Sequence, residues 1–181
     1  MADLFDPLTL RGLTMRNRIG ISPMCQYVSE DGFADDWHLV HLGSRAAGGA
    51  GLIIAEASGV EARGRITPGC LGIWKDEHIA MLARITEFCR EQGAATGIQI
   101  GHAGRKASVN EPWLGDRSLL PDEGPWETVA PMAEPFEGPD GGVTHTPRAM
   151  TERDIADVIE AFGQAARRSV EAGFDLVELH G

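Results

Sequence analysis

The residues able to do chemistry fall at the ends of short apolar runs. The first run, Ile19 to Tyr27, reads I-G-I-S-P-M-C-Q-Y. It opens as a buried strand and breaks at Pro23, because proline cannot donate to the ladder of a central strand. Just past the break stand a thioether, a thiol, an amide and a phenol: Met24, Cys25, Gln26 and Tyr27. Three later runs also end in polar or small residues, at Ala55-Glu56-Ala57-Ser58, Gln99-Ile100-Gly101-His102 and Glu178-Leu179-His180. Such groups can hydrogen-bond the polar edge of a cofactor, donate to a substrate oxygen or, for imidazole and carboxylate, hold a metal. Side chains from several strand ends meet at one mouth in an α/β barrel, where strands build the core and βα loops build the site.

The elements that must position these residues alternate. A helix over Asp35 to Ala47 closes at Gly48-Gly49, and a second runs from about Asp76 to Gly93 with Ile79, Leu82, Ile85, Phe88 and Cys89 on one face. A third starts at the capping-box sequence Thr151-Glu152-Arg153-Asp154 and closes at Gly173. The strands between them are continuous apolar runs, as in parallel sheets covered on both faces. From about 107 to 148 the chain is rich in Pro, Gly, Trp and acidic residues without period, and a flap or hairpin over the barrel mouth is expected there. The order β-α-β-α-β-loop-α-β implies right-handed parallel crossovers. A doubly wound sheet would place a glycine fingerprint after its first strand, where this chain has S-P-M-C, so a TIM-type barrel is favoured. Eight strands take about 250 residues. This chain of 181 supplies about four, half a barrel.

Composition narrows the function classes. The net charge of -11 without a large basic cluster argues against nucleic acid and anionic membrane as partners. The acidic start M-A-D-L-F-D lacks the pattern of a secretory leader, and there is no long apolar run, so a cytoplasmic protein is expected. The three cysteines have no CxxC spacing and suggest neither a disulfide framework nor a zinc site. Cys89 belongs to a helix core, and Cys25 has the position of interest.

Five segments give the sequence a family likeness: R-N-R-I-G-I-S-P-M-C-Q-Y (16 to 27), G-S-R-A-A-G-G-A-G-L-I-I-A-E-A (43 to 57), I-Q-I-G-H-A-G-R-K-A (98 to 107), T-P-R-A-M-T (146 to 151) and G-F-D-L-V-E-L-H-G (173 to 181). In this order the chain resembles the N-terminal half of an old yellow enzyme, in the branch with a cysteine in its first loop. The resemblance implies FMN as cofactor, NADPH or NADH as hydride donor, and hydride delivery to the β carbon of an activated alkene. It places Ser22, Pro23, Met24 and Cys25 beside the isoalloxazine, with Cys25 tuning its potential. It places Gln99 at the pyrimidine edge, and Ala57 where a small residue leaves room for the ring.

Tyr27 and His180 would face the substrate, His180 as the first of a histidine pair that binds the carbonyl oxygen. By the same likeness, the second histidine, a tyrosine proton donor, a flavin-contacting arginine and the phosphate loops belong to the other half of the barrel. A complementary half-barrel or a second copy of the chain is therefore an expected partner, and oligomerisation an expected property. Two alternatives stay open: a non-catalytic half-barrel that self-associates, and, more remotely, a metal-dependent lyase using His102, His180 and Glu56.

Overall fold

A computed structural model describes residues 3–138 and 142–181. The chain opens with an antiparallel hairpin of β1 (Leu8–Leu10) and β2 (Leu13–Met15). Then β3 (Gly20–Ile21), α1 (Asp36–Ala47), β4 (Leu52–Gly59), α2 (Ile79–Glu91) and β5 (Ala95–Gly101) alternate. A long excursion carries β6 (Val129–Ala130) and β7 (Arg148–Ala149), after which α3 (Glu152–Glu171) leads into β8 (Leu176–His180).

Strands β3, β4, β5 and β8 form one parallel sheet in that order, with Ile21 opposite Ile53, Ile53 opposite Thr96 and Ile98 opposite Val177. Spatial order that follows chain order, with a helix in each crossover, is the winding of a TIM barrel. The four strands make half of one, and the sheet is open among the described residues.

The helices begin and end where local chemistry dictates. Asp35 accepts from the backbone N–H groups of Trp37 and His38 and caps α1, and Thr151 with Asp154 forms a reciprocal capping box on α3. Gly49 and Gly93, just past α1 and α2, take φ of 102° and 79°, a conformation that glycine adopts without a Cβ clash. The core lies between sheet and helices, where Leu42 and Ala46 of α1 and Leu82, Ile85 and Cys89 of α2 pack with Ile53, Ile98 and Ala165. Burying a side chain such as Leu82 contributes about 2 kcal/mol. Trp37 and Val40, which share the spacing of α1, turn outward and are more than half exposed, at 51% and 57%.

Two local features bear on the site. The opening strand pairs over Gly20–Ile21, and the chain leaves the sheet before Pro23, where the proline breaks the ladder. In the excursion, Glu137 and Val143 make an antiparallel bridge, while β6 and β7 pair in parallel, Val129 with Arg148 and Ala130 with Ala149. Parallel pairing requires the chain between them to cross back, which a tight turn cannot do. The segment is tied down by Arg148, which donates twice to Asp154 at 2.9 Å, and by the Trp126 indole, which donates to the Arg63 carbonyl.

Candidate functional site

The carboxyl ends of β4, β5 and β8 point the same way, and Gly101 sits opposite His180 in register. Between Ala55 and Ser58 the β4–β5 register shifts by one residue, three steps on β4 against two on β5. This bulge lies at Glu56-Ala57, and an extra residue at that point re-aims side chains near a strand end. Glu56 turns inward and is buried, while Ala57 is half-buried. On β5, Gln99 is half-buried and its amide Nε2 donates to Glu178 Oε1 across the strand pair at 2.6 Å.

The loop after β3 is held by a buried polar cluster. The Gln26 backbone N–H donates to Glu56 Oε2 at 3.1 Å, and Glu56 Oε1 lies 3.3 Å from His38 Nε2. That second contact is an ion-pair distance without hydrogen-bond alignment. On its other side, His38 Nδ1 meets Asp35 Oδ1 at 2.7 Å. Burial opposes charge on His38, but the Glu56 and Asp35 carboxylates that face its two ring nitrogens outweigh it and raise its pKa above the ordinary value.

Within the same loop, Cys25 is half-buried. Burial, with smaller contributions from Glu56 and Cys70, pushes its thiol up to about 12. Tyr27 is likewise raised to about 12 by burial and by Cys25, packs edge-on to Trp113 at 5.6 Å, and holds a left-handed φ of 56°. Cys25 is therefore a neutral thiol, a weak donor and a poor nucleophile. Burial also raises Cys70, and Cys89 to about 11. In the folded chain at about pH 8, Ellman's reagent is expected to react only slowly with all of them, and to count three thiols once denaturant is added. Rapid reaction of one thiol in the folded chain would contradict this burial.

A cleft of about 530 Å³ opens at the strand ends, lined by Ala57, Gly101, His102, His180 and, from the excursion, Ala130 to Met132. It brings together Ala57 and His180 of the residues singled out in the sequence. Ser22, Pro23, Met24, Cys25, Tyr27 and Gln99 are not among its lining. Ser22 and Met24 are exposed on the loop beside β4. The cleft is also lined by Arg65, Cys70, Arg105 and Lys106. In the sequence, Arg105 and Lys106 stand within the segment from 98 to 107, while Arg65 lies outside all five family segments. Cations beside turn residues, as in Gly64-Arg65 ahead of Pro68-Gly69 and in Gly104-Arg105-Lys106, were the available signal.

Comparison with known proteins follows from this geometry. Residues 3–181 match the model of the NADH:flavin oxidoreductase / NADH oxidase family. The chain belongs to that family. A relative in Geobacillus sp. (strain WCH70), an NADPH dehydrogenase, is 46% identical over 180 residues, 98% of this chain and 47% of the relative. Morphinone reductase in complex with tetrahydroNAD superposes with a TM-score of 0.80 at 31% identity, over 99% of this chain and 49% of that one. The old yellow enzyme homologue of Zymomonas mobilis gives 0.82 at 29% identity, over 99% and 48%. The chain thus spans about half the length of the relatives it matches, and the likeness to old yellow enzymes is upheld.

The residues of this family member fit a flavin in kind. Gln99 carries an amide with one N–H taken by Glu178 and its carbonyl oxygen and second N–H left over, Ala57 is a small, half-buried residue at the bulge, and Ser22 exposes a hydroxyl. FMN with a nicotinamide nucleotide is the cofactor pair of such NADH:flavin oxidoreductases. No helix of the described residues is long and apolar enough to cross a membrane.

Proposed function

We propose that the chain forms the flavin- and substrate-facing wall of an FMN-dependent ene reductase. The overall reaction moves hydride from NADPH or NADH to the β carbon of an α,β-unsaturated carbonyl or nitro compound. The observation that carries this reading is that His180 and Ala57, from strands β8 and β4, line one cleft at the carboxyl ends of a half-barrel.

When bound, FMN supplies a two-electron carrier between the nicotinamide and the alkene. Gln99 and Ser22 bind its polar edge through amide and hydroxyl groups, and Ala57 keeps the ring's approach clear. Cys25, held as a neutral thiol, offers a weak S–H donor that alters the stability of the reduced ring. His180 donates to the carbonyl or nitro oxygen, which draws electron density from the alkene and makes its β carbon electrophilic. Tyr27 orients the substrate from the loop side. Its raised pKa keeps the phenol protonated across the physiological range.

Activity belongs to an assembly in which a complementary half-barrel closes the sheet. Exposed apolar side chains flank it, Val28, Trp37 and Val40 near β3 and Ile159 and Leu179 near β8, the last two 68% and 69% exposed. The same surfaces favour a second reading, a half-barrel that pairs with its own copy and carries no catalysis. The test is gel filtration of the chain with FMN, alone and after co-expression with the C-terminal half of a family member. The visible spectrum and NADPH oxidation are read on the protein peak. Shifted flavin bands and turnover with the added half are expected. A colourless dimer that stays inactive with that half would select the second reading.

A further inference from the structure

The cleft at the strand ends is cationic in an acidic molecule. Although the chain carries a net charge of -11, no Asp or Glu lines the cleft, whereas Arg65, Arg105 and Lys106 do. Several cations elsewhere are paired with carboxylates: Arg63 with Glu61, Arg117 with Glu123, Arg148 with Asp154 and Arg168 with Asp76. Among the described residues, the three cleft cations rest instead on aromatic faces. Arg65 stacks 4.7 Å from the Trp126 ring and 5.6 Å from Trp74, and Lys106 lies 4.4 Å from Phe136. Such stacking holds a cation in place and leaves its donors for another partner.

Two buried donors there lack an acceptor. Arg65 Nε is buried without a hydrogen bond. His102, its side chain 9% exposed, accepts from the Gly104 backbone N–H at Nδ1, which places the proton on Nε2. That Nε2 has no hydrogen-bond partner, with Glu61 Oε2 at 3.7 Å, beyond hydrogen-bonding reach. A buried donor left unmade costs about 1–3 kcal/mol, so the arrangement favours a ligand that supplies oxygen acceptors.

We infer that the cleft is an anion site that takes a phosphate group of the nicotinamide dinucleotide, using Arg65, Arg105, Lys106 and the Nε2–H of His102. The inference rests on the flavin reductase reading for its ligand, and on the cleft alone for its chemistry. Several positive charges and two N–H donors match a multiply charged phosphate better than a single carboxylate. The volume of about 530 Å³ suits a nucleotide fragment.

The experiment titrates the chain with ADP-ribose, adenosine 2′-phosphate and inorganic phosphate in turn. Tryptophan emission serves as the readout, since Trp74 and Trp126 flank Arg65. FMN binding is followed separately by flavin absorbance. Saturable quenching by a nucleotide probe is expected, weakened by added salt and about tenfold weaker in Arg65→Gln. Arg105→Gln, exposed and outside the core, is expected to weaken it severalfold without altering the far-UV spectrum.

Quenching by inorganic phosphate alone assigns the site to free phosphate and overturns the dinucleotide as ligand. So does weaker FMN binding in both variants with nucleotide binding unchanged, which assigns the cations to the flavin's own phosphate. No saturable response, or equal affinity in wild type and both variants, overturns the site itself. FMN binding without nucleotide binding removes this inference and leaves the flavin reading intact. Nucleotide binding without FMN binding upholds the anion site and leaves the flavin reading to the test with the added half-barrel.

Discussion

Replacing Glu56 with alanine is expected to lower the unfolding free energy by about 3 kcal/mol, because it removes a buried carboxylate and leaves the imidazole it faces with only part of its compensation. Glu56 and His38 have side chains 2% and 3% exposed and stand 3.3 Å apart. Glu56 also accepts the Gln26 backbone N–H, so its loss unfastens the loop that carries Cys25 and Tyr27. The effect has a pH signature. The folded-state pKa of His38 is raised above 6.5, so its contribution is complete below that value and is lost as pH rises through the folded-state pKa. Wild-type stability is expected to fall through this group as pH rises above about 6.5, and Glu56→Gln, which keeps the shape and removes the charge, is expected to flatten that fall. Urea unfolding across pH checks both. A slope unchanged in Glu56→Gln would mean that His38 is neutral in the folded chain.

This cluster marks the boundary of what the sequence could disclose. The alternating elements were legible because their signals are local: Asp35 and Thr151 cap helices, glycines follow the helices, and apolar runs form the strands. The four-strand parallel sheet follows from that alternation. The pairing of Asp35, His38 and Glu56 was not legible, since Glu56 lies in an apolar run and reaches His38 only through the bulge at Ala55–Ser58. The end of β3 was legible at Pro23, whereas the tether from Gln26 to Glu56 that holds the chain off the sheet beyond it was not. Among site residues, Ala57 and His180 are joined by the cleft, and Cys25 with Tyr27 shares a neighbouring loop. The cationic lining was missed for another reason. Arg65, Arg105 and Lys106 come from two βα connections, and the aromatic rings that hold them lie at Trp74, Trp126 and Phe136.

Arg16→Ala is the second substitution expected to have a large effect, about 3 kcal/mol of stability, although the residue lies far from any chemistry. Its guanidinium donates to Ala46 O and Ala50 O at 2.7 and 2.8 Å through Nη2, to Ala50 O at 3.1 Å through Nε, and to Gln92 O at 2.7 Å through Nη1. Ala46 lies in the last turn of α1 and Gln92 caps α2, so one cation satisfies carbonyls at two helix C-termini, where the aligned peptide dipoles leave negative partial charge. Hydrogen bonds to a charged donor contribute about 1.5–3 kcal/mol each, and half-exposure with replacement by water brings the total down. Arg16 follows β2 directly, so the N-terminal hairpin is fastened through it to the ends of both helices. Lysine keeps the charge but not the planar fork that reaches three carbonyls, and Arg16→Lys is expected to recover less than half of the loss. Urea unfolding followed by far-UV circular dichroism measures both. If Arg16→Ala matched wild type, water would be satisfying those carbonyls equally well, and the hairpin would owe its place to β1–β2 packing alone.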